Sequence, residues 1–288
     1  MKNVMISCIA GLVISCAQTT SKAQDFKEHI SKEFSLKTAA ASSTLAIYNV
    51  FGSVKVEGYS GDKVTIEIDK SISGKNSEEV ELAKKEFRLE FDEKSDSIVV
   101  YTAEPYDSRP NMNWNRKNER KDRHYKVKLE FVVKVPFGMN LRVMTINEGN
   151  VSVKNVEGSL DVGNVNGAIS ILNAKGTSKV HTVNGNVDVT YTSTPPEKST
   201  YNTINGTMNI TYPADFSGDV QLKSMNGEFY TDFQNAEVLP GAVVKNTEQN
   251  GKATVYKLNK DTSLRIGKGG KIYKFETLNG NIYIKKQS

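Results

Sequence analysis

The chain has 288 residues, a formal net charge of +5, 38% hydrophobic residues and two cysteines. This length allows a self-sufficient hydrophobic core, and the mild charge gives no reason to expect a nucleic-acid partner. Both cysteines, Cys8 and Cys16, lie close to the N-terminus, so the rest of the chain has no thiol for a disulfide or a metal site.

The N-terminus has the features of an export signal. Lys2 precedes an apolar run, Val4 to Ile14, that is far shorter than the roughly 20 residues of a transmembrane helix. Residues 1–23 are therefore predicted to be a signal peptide, cleaved between Ala23 and Gln24.

The same segment allows a second outcome. Residues 13–16 read Val-Ile-Ser-Cys and resemble a lipobox, in which Cys16 would carry a lipid. In either case we expect an exported protein, located in the periplasm, on the outer surface or in the medium, that meets a membrane only through a lipid on Cys16. Residues 24–44 are polar and weakly patterned, and we interpret them as a tether.

Residues 45–140 are predicted to form a mixed β region with one helix. Apolar and polar residues alternate around Val64, Ile66 and Ile68, and again over residues 125–135, as is typical of strands with one buried face. A helix is predicted for residues 76–86, because Asn76 can cap it and Glu79 follows at the capping-box spacing.

A basic loop is predicted within this region, at residues 105–124, and it contains the only tryptophan. Trp114, Arg116 and Lys117 are candidate ligand contacts, because basic residues around an aromatic ring can bind an anionic polymer or a sugar. A loop of this length is usually either functional or disordered, and the sequence leaves both interpretations open.

Residues 141–288 contain a repeat. Nine-residue units have apolar residues at positions one, three and six and glycine at position eight, and Asn-Gly dipeptides recur. Left-handed backbone at position eight would explain the glycine, since other residues pay about 1–2 kcal/mol there. The predicted corners are Gly149, Gly158, Gly167, Gly176, Gly185, Gly206, Gly227, Gly251 and Gly280.

Two architectures fit this repeat. The first is a meander of Asn-Gly hairpins. In such a meander the side chain of Val183, and of the apolar residue before the other Asn-Gly dipeptides, would point into the solvent. A parallel β-solenoid is the second, with coils of 18 residues that lengthen to 29 and with positions one, three and six pointing inward. Asparagines at equivalent corners would then lie above one another and hydrogen-bond along the stack. We favour an all-β fold with a parallel β-solenoid.

The chain also resembles a known family. The residues that carry the resemblance are segments 49–56 (NVFGSVKV) and 135–141 (VPFGMNL) and the repeated V-N-G-x-V-x-V units. They are similar to exported bacterial β-strand-repeat proteins of unassigned function, which are grouped with adhesin-like head domains and parallel β-helix proteins. The resemblance covers about residues 45–284 and implies a β-helix-like fold, but no catalytic residues.

We therefore expect a non-enzymatic, adhesin-like protein of the cell envelope that presents an extended surface to glycans, envelope components or proteins. No cofactor is predicted, and no pair among His29, His124 and His181 has metal-ligand spacing. The oligomeric state is open.

Two other functions stay open. A polysaccharide-active enzyme would need converging carboxylates, for which Glu157, Asp161 and Asp188 are the candidates. An envelope-sensing regulatory module would need an exposed apolar patch, and the candidate residues for it are Tyr256, Tyr273, Phe275 and Tyr283.

Overall fold

The computed structural model describes residues 25–110, 124–240, 243–246, 255–258 and 262–288 of the chain. These residues form an all-β fold with one α-helix, α1 (Ser77–Glu86), and a short 3-10 turn at Ala40–Ser42. The strands are β1 (Asp25–Ser35), β2 (Thr44–Tyr48), β3 (Val54–Tyr59), β4 (Lys63–Gly74), β5 (Arg88–Glu93), β6 (Ser97–Glu104), β7 (Tyr125–Pro136), β8 (Asn140–Met144), β9 (Val151–Lys154), β10 (Leu160–Gly163), β11 (Ile169–Ala174), β12 (Ser178–His181), β13 (Val187–Tyr191), β14 (Thr200–Asn205), β15 (Met208–Tyr212), β16 (Gly218–Asn226), β17 (Phe229–Thr231), β18 (Ala236–Leu239), β19 (Val243–Asn246), β20 (Val255–Leu258), β21 (Thr262–Ile266), β22 (Ile272–Asn279) and β23 (Ile282–Lys286).

Two large mixed sheets hold most of these strands. Sheet I has the order β1-β4-β7-β3-β9-β11-β13-β15-β23-β17, and sheet II has the order β18-β21-β16-β22-β14-β12-β10-β8-β2-β6-β5. β19 and β20 pair separately. One hydrophobic core contains buried residues of both sheets, from Leu45 to Ile284. The core is therefore continuous across residue 140, where the sequence suggested a division.

From β8 to β15 the chain alternates between the two sheets, and neighbouring strands within each sheet are parallel. We call a strand of sheet II, the corner after it and the next strand of sheet I a rung. Leu160 lies beside Ser178, and Ile169 lies beside Val187. The 18-residue spacing predicted from the repeat is thus the spacing between these rungs. The hairpin alternative is wrong, because it requires antiparallel neighbours.

Two rungs lie out of chain order. The β2–β3 rung lies between the rungs β6–β7 and β8–β9, and the β22–β23 rung lies between β14–β15 and β16–β17. The predicted lengthening of the coils towards 29 residues is therefore wrong, because it assumed that the corners stack in chain order. The corner of Gly280 lies directly on that of Gly206, and the corner of Gly227 lies on that of Gly280. β21 runs antiparallel to β16, and the turn after β21 carries the chain to the other side of β16.

Residues 25–44 differ from the tether that was predicted for residues 24–44. Asp25–Ser35 forms β1, which pairs antiparallel with β4 along its whole length. Its apolar residues, Phe26, Ile30 and Phe34, are spaced four apart and only partly buried. β1 is an edge strand whose other side chains are mostly charged or polar and exposed, so its pattern is too sparse to read as a strand.

The helix agrees with its prediction. Asn76 caps α1, and its side chain accepts a hydrogen bond from the Glu79 amide at 3.0 Å. The Glu79 carboxylate accepts from the amide of Lys75 at 2.9 Å, one residue before the position that a capping box would use. Val80 and Ala83 are buried against β4 and join α1 to the fold.

Close contact between rungs explains the corner glycines. A Cβ atom at Gly185 would lie well inside 3.0 Å of the Gly167 carbonyl group, and Gly167, Gly206, Gly227 and Gly280 have the same relation to the rung below. Among the predicted corner glycines in the described ranges, Gly280 alone has a positive φ. Left-handed backbone occurs instead at three residues that are not glycine, Glu148, Asn155 and Asn173. The left-handed explanation for glycine at position eight is therefore wrong for most corners.

Hydroxyl groups lie inside the core at the C-terminal half of the stack. Tyr191, Tyr201 and Tyr212 are fully buried, and the Tyr201 hydroxyl lies 2.6 Å from that of Tyr191 and 3.4 Å from that of Tyr212. Their rings stack on neighbours, such as Tyr201 on Phe275 with centroids 4.8 Å apart. Burial raises the pKa of Tyr201 and Tyr212 well above the ordinary tyrosine value.

Alanine at a corner glycine should destabilise the fold. We expect Gly185→Ala to lower the free energy of unfolding by about 3 kcal/mol, because the added methyl group meets backbone that cannot move aside. Gly138→Ala is the control, since its nearest neighbouring atom would be 3.9 Å away. Urea unfolding measures both changes, and equal losses would contradict the close-contact explanation.

The buried tyrosines should make the fold sensitive to alkali. The pKa of Tyr201 is raised in the folded chain, whereas an unfolded tyrosine titrates near pH ~10. Stability is therefore fully present below about pH 10 and is lost as the pH rises further, since the unfolded chain releases protons that the folded chain retains. The free energy of unfolding of Tyr201→Phe should fall less steeply with pH, and identical slopes would refute this assignment.

Candidate binding surface

The outer face of sheet II presents three columns of side chains. Alternate residues of a strand point to opposite faces, so outward residues of parallel, registered strands form rows across the sheet. The first column is mostly polar or charged and contains Ala46, Arg142, Asp161, Lys179, Thr200, Lys274 and Gln221. The second contains Tyr48, Met144, Gly163, His181, Asn202, Glu276 and Lys223.

The third column, which we call the apolar column, lies next to the Asn-Gly corners. It contains Val50, Ile146, Val165, Val183, Ile204, Leu278 and Met225, in the order in which the rungs stack. Backbone hydrogen bonds fix this register. The backbone N–H of the asparagine after a column residue donates to the backbone carbonyl of the column residue in the rung beneath, as Asn166 does to Ile146 at 2.8 Å.

An ion cluster lies in the first column. Asp161 accepts from Arg142 Nε at 3.3 Å, and Lys179 Nζ lies 3.8 Å away. A hydrogen bond to Tyr48 and the charge of Asp161 raise the pKa of Arg142. A cleft of about 550 Å³ adjoins the cluster, lined by Thr44, Asn140, Arg142, Asp161, Lys179 and Glu197 among others. The cleft therefore carries both signs of charge.

His181 lies in the second column, over Gly163. A Cβ atom at Gly163 would lie 2.6 Å from two ring atoms of His181, so glycine makes room for the imidazole. Burial lowers the pKa of His181, so that the ring is neutral at neutral pH. Among the residues that the structure describes, His181 Nδ1 and Asp161 Oδ1 are buried without a hydrogen-bond partner.

The asparagines of the corners form the predicted ladder. Five successive hydrogen bonds of 2.7–2.8 Å join the ladder, and in each of them the side-chain Nδ2 of one asparagine donates to the side-chain Oδ1 of the asparagine in the neighbouring rung. The order along the stack is Asn147, Asn166, Asn184, Asn205, Asn279 and Asn226. The ladder runs directly beside the apolar column, because each asparagine of the ladder comes directly after a residue of the apolar column in the sequence.

A second set of polar residues at the corners was not anticipated. A hydroxyl or amide group from each rung donates to the glycine carbonyl of the rung below, as Thr182 does to Gly167 at 3.1 Å. The other pairs are Thr145 with Gly52, Asn164 with Gly149, Thr203 with Gly185, Thr277 with Gly206 and Ser224 with Gly280. The recurrence of Thr, Asn or Ser three residues before most glycines is the signal that could have identified them.

These inward polar residues correct the predicted orientation of position six. At the corners that lead from sheet I to sheet II, position six is buried, at Val156 and Ala174. At the Asn-Gly corners the preceding Thr, Ser or Asn points inward instead, so the apolar residue of position six turns outward. The apolar column is the result, with exposed fractions of 37% for Ile146, 44% for Ile204 and 39% for Leu278.

Several predicted site residues lie outside the described ranges. These are Cys16, Ala23, Gln24, Trp114, Arg116, Lys117 and Gly251. The corners Gly149, Gly158, Gly167, Gly176, Gly185, Gly206, Gly227 and Gly280 all contact a neighbouring rung closely.

The three candidate carboxylates do not converge. Glu157 pairs with Lys175 at a corner, Asp161 lies on the outer face of sheet II, and Asp188 lies in sheet I, where it accepts from Asn209. Three of the four candidate aromatic residues do not form one patch, because Tyr273 and Phe275 are buried and Tyr283 stacks on Tyr230. The side chain of the fourth, Tyr256, lies outside the described part of the structure.

Two features are absent from the described part of the chain. It contains no group of three His, Cys, Asp or Glu side chains arranged to bind a metal ion. It also lacks a helix of the length and hydropathy needed to cross a lipid bilayer.

Comparisons with known proteins give two structural likenesses. No family model and no curated protein sequence matches the chain. A putative cell adhesion protein from Clostridium sporogenes ATCC 15579 is 13% identical, with a TM-score of 0.41, and the match covers 91% of this chain and 100% of that chain. A putative adhesin from Bacteroides fragilis NCTC 9343 is 9% identical, with a TM-score of 0.27, and the match covers 90% and 97% of the two chains.

Proposed function

We propose that this chain is an exported, non-enzymatic, adhesin-like protein that binds a polymer of the cell envelope or the extracellular medium. In this proposal the stacked parallel rungs from β2–β3 to β16–β17 form a β-solenoid, and the outer face of sheet II is the binding surface. The observation that carries the proposal is the set of three side-chain columns, each repeated from rung to rung across that face.

Repetition is what a polymer-binding surface requires. A polymer offers the same groups at regular intervals, and stacked strands present side chains at intervals of about 4.8 Å. The outer face of sheet II combines such columns with the Arg142–Asp161–Lys179 cluster and its adjoining cleft. A long surface that makes many weak contacts suits adhesion better than the enclosed geometry of an active site.

The other two functions have less support. A polysaccharide-active enzyme needs two carboxylates close to one bond of the substrate, and Glu157, Asp161 and Asp188 are dispersed. A sensing module that docks through the aromatic residues would need them on the surface, whereas Tyr273 and Phe275 belong to the core.

Selective blocking of one face tests the proposal. A chain that begins at Gln24 contains no cysteine, so a single introduced cysteine can be coupled to a maleimide-linked polyethylene glycol. We expect the coupled Thr200→Cys protein to lose binding to envelope isolated from the source cells, because Thr200 lies in the middle of the outer face of sheet II. Co-sedimentation with the envelope measures the bound fraction.

The matched control is Ser170→Cys, at a central position of sheet I with the same intermediate exposure. The coupled control should bind as the uncoupled protein does. If both coupled proteins bound the envelope equally well, the binding surface would not be the outer face of sheet II. Absence of binding by the unmodified protein would refute the proposed function itself.

A further inference from the structure

The apolar column is a specific feature and does not follow from strand propensity alone. Strands favour Val and Ile on any face, so propensity would enrich all three outward columns equally. The first column of the same strands instead holds Arg142, Asp161, Lys179 and Lys274. Seven successive rungs nevertheless place Val, Ile, Leu or Met in the third column.

The column is accessible along the stack. Ile146, Ile204, Leu278 and Met225 expose between 37% and 73% of their surface, and the three valines are half-buried. The corner lets these side chains turn outward because Thr, Ser or Asn occupies the preceding inward position.

The asparagine ladder adds hydrogen-bonding capacity beside this apolar surface. A carboxamide has two N–H donors and an oxygen with two lone pairs. The ladder uses one donor and one acceptor site of each internal amide, as in Asn184, which donates to Asn166 and accepts from Asn205. Each internal rung therefore offers one apolar side chain together with one further amide donor and acceptor.

We infer that the apolar column and the asparagine ladder together bind an uncharged, linear, β-linked glycan that lies along the stack. This inference rests on the proposed function and names the ligand class of its surface. The pyranose rings of such a glycan have apolar C–H faces and hydroxyl edges. The C–H faces would contact the column, and the hydroxyl groups would bond to the amides.

The dimensions favour a thin polymer over a protein partner. Seven rungs at about 4.8 Å and a width of about 7 Å give the column an area on the order of 200 Å². A stable protein–protein interface needs about 800 Å² from each partner. A second copy of this chain is therefore not the expected occupant, whereas an extended glycan strand matches the width of one column.

The charges favour a neutral ligand. The seven side chains of the column and the six amides of the ladder are all uncharged. The nearest charged pair of the second column, Lys223 and Glu276, neutralises itself through a salt bridge at 2.5 Å. Among the residues that the structure describes, the column and the ladder themselves offer a polyanion no cation, in contrast to the first column.

Isothermal titration calorimetry with cellohexaose and chitohexaose tests the inference. We expect both neutral hexasaccharides to bind, and the double substitution Val183→Thr with Ile204→Thr to weaken binding by about tenfold through loss of apolar contact. Threonine keeps the shape and the strand propensity of valine. Val132→Thr is the matched control, because Val132 is 51% exposed on the outer face of sheet I, and its binding should stay unchanged.

A second measurement does not depend on any loss of binding. A nitroxide spin label on Met225→Cys should broaden the proton resonances of bound cellohexaose, and the same label on Val132→Cys should not. Unchanged affinity of the double variant, or an equal loss in the Val132→Thr control, would overturn the inference. Exclusive binding of an anionic hexagalacturonate would also overturn it, as would a dimer that the double variant abolishes.

These outcomes separate the inference from the proposed function. Binding to isolated envelope without binding to either neutral hexasaccharide would refute the glycan track and leave the proposed function standing. Failure to bind the envelope at all would refute the proposed function.

Discussion

The close approach of backbones at the Asn-Gly corners is the constraint on which the rest of this structure depends. Parallel rungs stack at the spacing of hydrogen-bonded strands, and the corners must follow at the same spacing. A side chain at Gly185 or Gly206 would occupy the space of the glycine carbonyl beneath it. Glycine is therefore required at these corners by contact between rungs.

The same constraint determines where the polar groups go. A corner carbonyl next to the core has no strand partner and must be satisfied in another way. The hydroxyl and amide groups of Thr145, Asn164, Thr182, Thr203, Thr277 and Ser224 satisfy these carbonyls from within. Because these residues point inward, their apolar successors point outward, and the apolar column on the surface is a consequence of hydrogen bonding in the interior.

The sequence predicted the elements that depend on local periodicity. Alternating apolar residues identified strands such as β7, the Asn76 cap identified α1, and the glycine period gave the 18-residue spacing. The parallel direction was predicted from the misfit of a hairpin at Val183, but that reason was wrong, because Val183 turns outward in the parallel stack as well. Val183 is half-buried and turned outward, and Thr182 is the buried residue.

Features that depend on distant contacts could not be predicted from one sequence. β1 is recognisable only through its pairing with β4, because three partly buried residues carry its whole apolar pattern. The asparagine ladder could be predicted, because it requires only that equivalent corners lie above one another. The order of its asparagines along the stack could not be predicted. Asn279 lies between Asn205 and Asn226, which reverses the last two rungs relative to the chain.

The position of the β22–β23 rung has a consequence for how the fold is completed. During synthesis, β16 and β17 emerge from the ribosome before the strands that must separate them from β14 and β15. The stack therefore cannot be finished vectorially, one rung after another, as in a simple repeat array. Strands β22 and β23 join the stack only after β16 and β17 have been made, and a chain that stopped before β22 would leave β16 and β17 without the rung that connects them to β14 and β15.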